Sequence, residues 1–111
     1  MRIMGIDPGV ATIGFGVVDA ERGKQQLVRC GVITTPAGIP LSSRLLQISR
    51  DMAELLGQFR PEEVAVEELF FTKNITTGIA VAHGRGVILL ELERAGVPVY
   101  EIGRASCRER V

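Results

Sequence analysis

The sequence predicts an α/β domain built on one mixed sheet. Three observations predict it: three apolar runs joined by short turns, two long segments of helical apolar character, and a further apolar run after each of them.

Met1 to Gly9 opens the chain as Met-Arg-Ile-Met-Gly-Ile-Asp-Pro-Gly. Ile3, Met4 and Ile6 suit a strand buried on both faces, which is normally central in a sheet. Asp7 falls at its C-terminal end, where ligands of open α/β sheets collect. An acid there costs desolvation unless a cation or donors meet it. Asp-Pro-Gly is also good turn chemistry by itself. Residues 1–9 alone do not separate the two readings.

Ala11 to Asp19 reads as a second strand, whose Gly14 and Gly16 allow a bulge or close backbone approach. Ala20 to Lys24, with Arg22-Gly23, is a hairpin connection, and Gln26 to Thr34 a third strand. Thr35 to Pro40 is a loop rich in breakers. From Leu41 to Phe59 the period changes. Leu41, Leu45, Ile48, Met52, Leu55, Leu56 and Phe59 form the stripe of an amphipathic helix, with Ser42 or Ser43 to cap it and Arg60-Pro61 to end it.

Val64 to Phe71 repeats the logic of the first strand, an apolar run whose end carries acid. A strand reached through a helical crossover is usually parallel to one already in the sheet. Beside the first strand, it brings Asp7 and Glu67 out at one edge. Two such carboxylates repel unless a proton or a divalent cation lies between them. An all-oxygen site suits Mg²⁺ or Mn²⁺ with waters completing the shell. Glu68 points to the opposite side of the strand from Glu67.

A second helix starts near 74–77 and runs to about Ala95, with Gly96 as its C-cap and Pro98 beyond. Gly78, Ala80, Ala82, Gly84 and Gly86 give its first half small faces, so the sheet or another helix, from this or a second subunit, approaches closely there. Val97 to Glu101 is a fifth, short strand. The order βββ-α-β-α-β is the ribonuclease-H-like arrangement, with helices on the sheet faces.

With 111 residues the chain has one core. Its 13 basic and 13 acidic residues balance, which argues against a general polyanion binder. Setting aside Arg104, Arg108, Arg110 and Glu109 leaves 10 basic against 12 acidic, so any polyanion site is local, needs metal ions or lies in sequence absent here. No membrane span or signal-peptide pattern is present, and two cysteines are too few for a disulfide framework. A reducing cytoplasm is the expected setting.

Gly5-Ile6-Asp7-Pro8-Gly9, Gly14-Phe15-Gly16 and Ala65-Val66-Glu67-Glu68-Leu69-Phe70 together resemble the amino-terminal part of the RuvC family, the bacterial Holliday-junction resolvases. The resemblance covers roughly residues 1–101 and includes Lys73-Asn74 and Arg85-Gly86. It implies a bacterial, cytoplasmic homodimer that binds four-way junction DNA, works with the RuvA-RuvB branch-migration complex, and nicks two strands of like polarity. It implies that Asp7 and Glu67 are two of four acids holding Mg²⁺, with Mn²⁺ as the alternative. Phe70 matches an aromatic that stacks on a base near the junction centre, and Lys73 and Asn74 fit phosphate contacts beside it. Phe71 is read as core and His83 as a packing or surface residue.

The family continues with a basic segment and a final helix bearing the other two acids. Residues 103–111 do not follow that pattern and are read as a non-family tail behind a truncated domain of residues 1–102. Two expectations follow: little or no junction cleavage by the chain as it stands, and exposed apolar sheet surface. Three other functions stand beside the resolvase. They are a related nuclease acting on structured RNA, a non-catalytic junction-binding fragment, and an ATP-binding protein of the sugar-kinase and actin type. The last lacks its second phosphate loop and its second domain here.

Overall fold

A computed structural model describes residues 1–68 and 75–103. The elements are β1 (Arg2–Asp7), β2 (Thr12–Glu21), β3 (Lys24–Thr34), α1 (Leu41–Phe59), β4 (Glu63–Glu67), α2 (Ile75–Arg94) and β5 (Val99–Ile102). They build one sheet in the order β3-β2-β1-β4-β5. β1 runs antiparallel to β2 and parallel to β4, and β4 runs parallel to β5. The ribonuclease-H-like mixed sheet expected from the sequence is therefore present, with β1 at its centre.

Local chemistry explains the joints. Arg22 (φ 49°) and Gly23 (φ 80°) make a two-residue hairpin turn with both residues left-handed, the turn whose twist matches its strands. α1 follows Pro40 directly, and no side chain caps it. Ser42 and Ser43 are therefore not caps: proline fixes its own φ near the helical value, so the helix begins before either serine. At the other end Arg60 turns left-handed (φ 48°), and its amide donates to the Leu56 carbonyl at 3.0 Å. Gly96 (φ 72°) closes α2, with the amides of Gly96 and Val97 donating to the Glu93 and Leu92 carbonyls.

Strand alternation sorts the sheet into two unlike faces. Met4, Ile6, Ile13, Val17, Val64 and Val66 point one way and are buried against Ile48, Met52 and Leu56 of α1 and Ile88 and Leu92 of α2. Both described helices thus cover the same face. On the other face Ile3, Gly5, Asp7, Gly14, Gly16, Ala65 and Glu67 alternate with that core. Leu27 (60% exposed), Val32 (60%) and Tyr100 (54%) stand open to solvent there, the exposed apolar sheet surface anticipated from the sequence. α1 and α2 pack together on the core face because their apolar stripes share a single core.

β4 spans Glu63–Glu67, and the part of the expected strand from 69 to 71 lies outside the described residues. Glu68 lies just past it, although its amide still donates to the Ile102 carbonyl at 2.8 Å. Residues 69–74, which hold Phe70, Lys73 and Asn74, lie outside the described residues, as do residues 104–111 of the tail.

Candidate functional site

The sheet register places the two acids. Ile6 pairs with Val66 across the parallel β1–β4 ladder, and Asp7 and Glu67 are the next residues on their strands. Neighbouring strands lie about 4.8 Å apart, so the two carboxylates leave the sheet side by side. Since Ile6 and Val66 point into the core, Asp7 and Glu67 point to the open face, and both are exposed.

The surroundings keep Asp7 approachable. It pairs with Gly14 across the β1–β2 ladder, and a Cβ at Gly14 would lie 3.6 Å from the Asp7 Cβ. Any larger residue at 14 would stand beside the carboxylate. Gly5 and Gly16 also have open space where a Cβ would be. Among the described residues the floor on the β2 side of Asp7 is therefore nearly bare backbone, and an incoming group can approach closely there.

The turn after Asp7 is held from three sides. Thr35, almost fully buried, donates from its hydroxyl to the Val10 carbonyl at 2.6 Å and receives the Arg44 Nε–H at 3.0 Å. Its amide donates to the Ala11 carbonyl at 3.0 Å. From α2, Gly84 abuts the Gly9 carbonyl oxygen, which a Cβ would approach to 2.5 Å. This contact accounts for one of the small residues that the sequence flagged in α2. Gly86 has open space around it instead.

Behind Glu67 lies Arg85 of α2, which the sequence marked only as part of a resemblance. Its Nε donates to the Glu67 carbonyl at 3.4 Å, and its Nη2 pairs with the Glu101 carboxylate of β5. On the open face the Tyr100 hydroxyl donates to Glu63 Oε2 at 3.1 Å, and that carboxylate raises the Tyr100 pKa above its ordinary value. His83 is exposed on α2.

The donor set fits a hard cation in kind: two exposed carboxylates, side by side, with room for waters. Among the described residues no cluster of three or more His, Cys, Asp or Glu side chains is gathered for a metal. A surface recess of about 950 Å³ lies at the opposite end of β1 around Arg2, Asp19, Arg22 and Arg60. It mixes both signs of charge and touches neither acid. A smaller recess of about 690 Å³ runs along the open face past Ile3, Glu63, Ala65 and Tyr100. No described helix is long and apolar enough to cross a membrane.

A mixed sheet of this topology defines the ribonuclease-H-like fold class. The chain belongs to the RuvC family: the model of the crossover junction endodeoxyribonuclease RuvC matches residues 3–111. That match runs on through the last nine residues, which the sequence reading had set apart. The RuvC of Brevibacillus brevis is 55% identical over all 111 residues, and that of Chloroflexus aggregans 47%. The chain spans 67% and 68% of their respective lengths. A Thermus thermophilus RuvC in complex with a Holliday junction substrate superposes with a TM-score of 0.88 at 36% identity, covering 98% of this chain and 70% of that one. The family's enzymes are endodeoxyribonucleases, hence hydrolases, and depend on a divalent metal. Membership argues against the RNA-directed nuclease and the ATP-binding reading alike.

Proposed function

We propose that the chain carries part of the catalytic centre of a Holliday-junction resolvase, with Asp7 and Glu67 as its first two metal ligands. The observation that carries this reading is the register: the two acids end adjacent parallel strands on one open face. Mg²⁺ is the preferred ion and Mn²⁺ the alternative, because all-oxygen sites with retained waters suit both. When bound, the cation lowers the pKa of an attacking water and neutralises charge on the scissile phosphate.

The chain's own residues do the rest. Asp7 and Glu67 hold the ion at the sheet edge, and Gly14 leaves the phosphate backbone room to approach Asp7. Phe70, Lys73 and Asn74 follow Glu67 within seven residues and precede α2. We assign base stacking to Phe70 and phosphate contacts to Lys73 and Asn74. Nicking falls on two strands of like polarity, which a homodimer achieves by presenting one site to each. An exposed apolar stripe on α2 supports dimerisation: Ile79 (50% exposed), Gly86 and Leu90 (54%) lie at helical spacing around His83. The setting is the bacterial cytoplasm, with RuvA-RuvB as the partner complex.

Hydrolysis by in-line displacement needs ligands around both the attacking and leaving oxygens. The two described carboxylates supply one side of such a centre. The 111-residue chain is therefore a junction binder with little or no nicking activity, and residues 1–102 are its folded unit. The test is a gel shift and a cleavage assay on a synthetic four-way junction, with structured RNA and linear duplex as controls. Junction-selective binding without cleavage supports the reading. Equal binding to linear duplex overturns the junction assignment, and Mg²⁺-dependent nicking abolished by Asp7→Asn overturns the inactivity.

A further inference from the structure

We infer that Arg85 is a positioning residue for the Asp7–Glu67 pair, clamping the end of β4 from behind the sheet. The inference rests on the metal-centre reading above and deepens it. Arg85 lies in the middle of α2, and its side chain is only 16% exposed. Its Nε–H reaches the carbonyl of Glu67, the last residue of β4, and its Nη2 reaches Glu101. Glu101 pairs with Val66 in the β4–β5 ladder, so one guanidinium ties α2 to both strands at the level of the acid.

The neighbouring residue completes the geometry. Gly84 packs its Cα against the Gly9 carbonyl, in the turn that follows Asp7. Two consecutive residues of α2 therefore touch the turn that follows Asp7 and the end of β4, Gly84 by close backbone contact and Arg85 by hydrogen bond and charge. Strand ends fray unless tied, and a frayed β4 end lets Glu67 drift relative to Asp7. A small hard cation tolerates little drift, because it demands near-ideal octahedral geometry at short distance. The competing account makes Arg85–Glu101 a surface ion pair of small effect, since Glu101 is 51% exposed. Against it stand the low exposure of Arg85 and its second bond, to the Glu67 carbonyl.

The experiment is a Mn²⁺ titration of the chain followed by the electron paramagnetic resonance of free Mn²⁺, paired with metal-free thermal melts. Wild type is compared with Asp7→Asn, Arg85→Met, Arg85→Lys and Glu101→Gln. Losing a group that orients a metal ligand weakens affinity about 10- to 100-fold, so Arg85→Met is expected to bind Mn²⁺ about tenfold more weakly. Arg85→Lys falls between that variant and wild type, because an ammonium lacks the fork that spans two partners. Glu101→Gln weakens binding in the same direction and by less. A purely structural role shifts the melts and leaves the Mn²⁺ affinity of the folded chain unchanged. An Arg85→Met affinity within about twofold of wild type therefore overturns the inference, a twofold change being well under the 1.4 kcal/mol of a tenfold one. Where Arg85→Met does not fold, Glu101→Gln decides: unchanged affinity overturns the inference and weakened affinity supports it. Undiminished binding by Asp7→Asn is a separate result, which overturns the metal centre and the inference with it.

Discussion

Asp7 and Glu67 end neighbouring parallel strands one step beyond the Ile6–Val66 pair, on the face that α1 and α2 leave open. Without a cation, two like charges so placed repel and work against the fold. With one, the same pair links folding to metal. Mg²⁺ at about ten times its dissociation constant adds about 1.4 kcal/mol of stability by mass action. For a domain of this size that raises Tm by about 5 °C or more. Asp7→Asn removes the rise while leaving the metal-free melt at or above that of wild type. A melt in graded Mg²⁺ reads both effects, and an equal shift in the variant places the metal elsewhere.

The sheet was legible because its signals are local. Breakers bounded each apolar run, and the change from period two to helical period at Leu41 marked the crossover. The pairing of Asp7 with Glu67 followed from one rule, that a helical crossover returns a parallel strand. Other features depend on the third dimension and left weaker traces. Ser42 and Ser43 looked like caps, but Pro40 had already set the helix start. Arg85 was marked only as part of a resemblance and not for its contacts, since its partners Glu67 and Glu101 lie 18 and 16 residues away. Gly84 did leave a trace: a glycine inside a helix asks what approaches it, and the answer is the Gly9 carbonyl.

Gly84→Ala sets helix propensity against packing. Alanine gains about 1 kcal/mol over glycine within a helix. Its Cβ would stand 2.5 Å from a backbone oxygen, which cannot rotate away as a side chain can. Overpacking typically costs about 1–3 kcal/mol. The contact wins, and the variant is destabilised by about 1 kcal/mol net. Urea melts check the sign, with Gly57→Ala in α1 as the control: its Cβ meets nothing within 4 Å, so propensity alone acts and the variant is stabilised. Stabilisation by both alanines to the same degree would remove the Gly84–Gly9 contact as a constraint.

Arg2 and Asp19 set an acid dependence at the far end of β1. The Arg2 Nε and Nη2 donate to the two Asp19 oxygens at 2.8 and 3.0 Å, and Nη1 donates to the Phe59 carbonyl at 3.1 Å. The hydrogen bonds from Arg2 hold the Asp19 carboxyl below its ordinary value. A carboxyl depressed in the folded state stabilises the fold above its unfolded pKa, about 3.9. That contribution fades as pH falls through the folded value. Asp19→Asn is therefore less stable than wild type at pH 7, and the gap narrows on acidification below about pH 4. Denaturant melts from pH 7 to pH 2 measure it, and a gap independent of pH leaves no linkage at this pair.

The proposed homodimer would place the apolar stripe of α2 at its contact. Ile79 and Leu90 are half-exposed on one side of the helix, separated by His83 and Gly86, whose lack of a side chain lets a second helix come close. Burying a leucine fully gains about 1.5–3 kcal/mol, and two-fold symmetry counts each residue twice. Leu90→Glu places two like charges at such an interface as well as removing the apolar contact. The dimer dissociation constant is expected to rise tenfold or more, about 1.4 kcal/mol at the least. The fold of the single chain is expected to hold, since Leu90 lies outside the buried core. Sedimentation equilibrium across a concentration series reads the constant directly. Identical self-association of Leu90→Glu and wild type moves the dimer contact off this stripe.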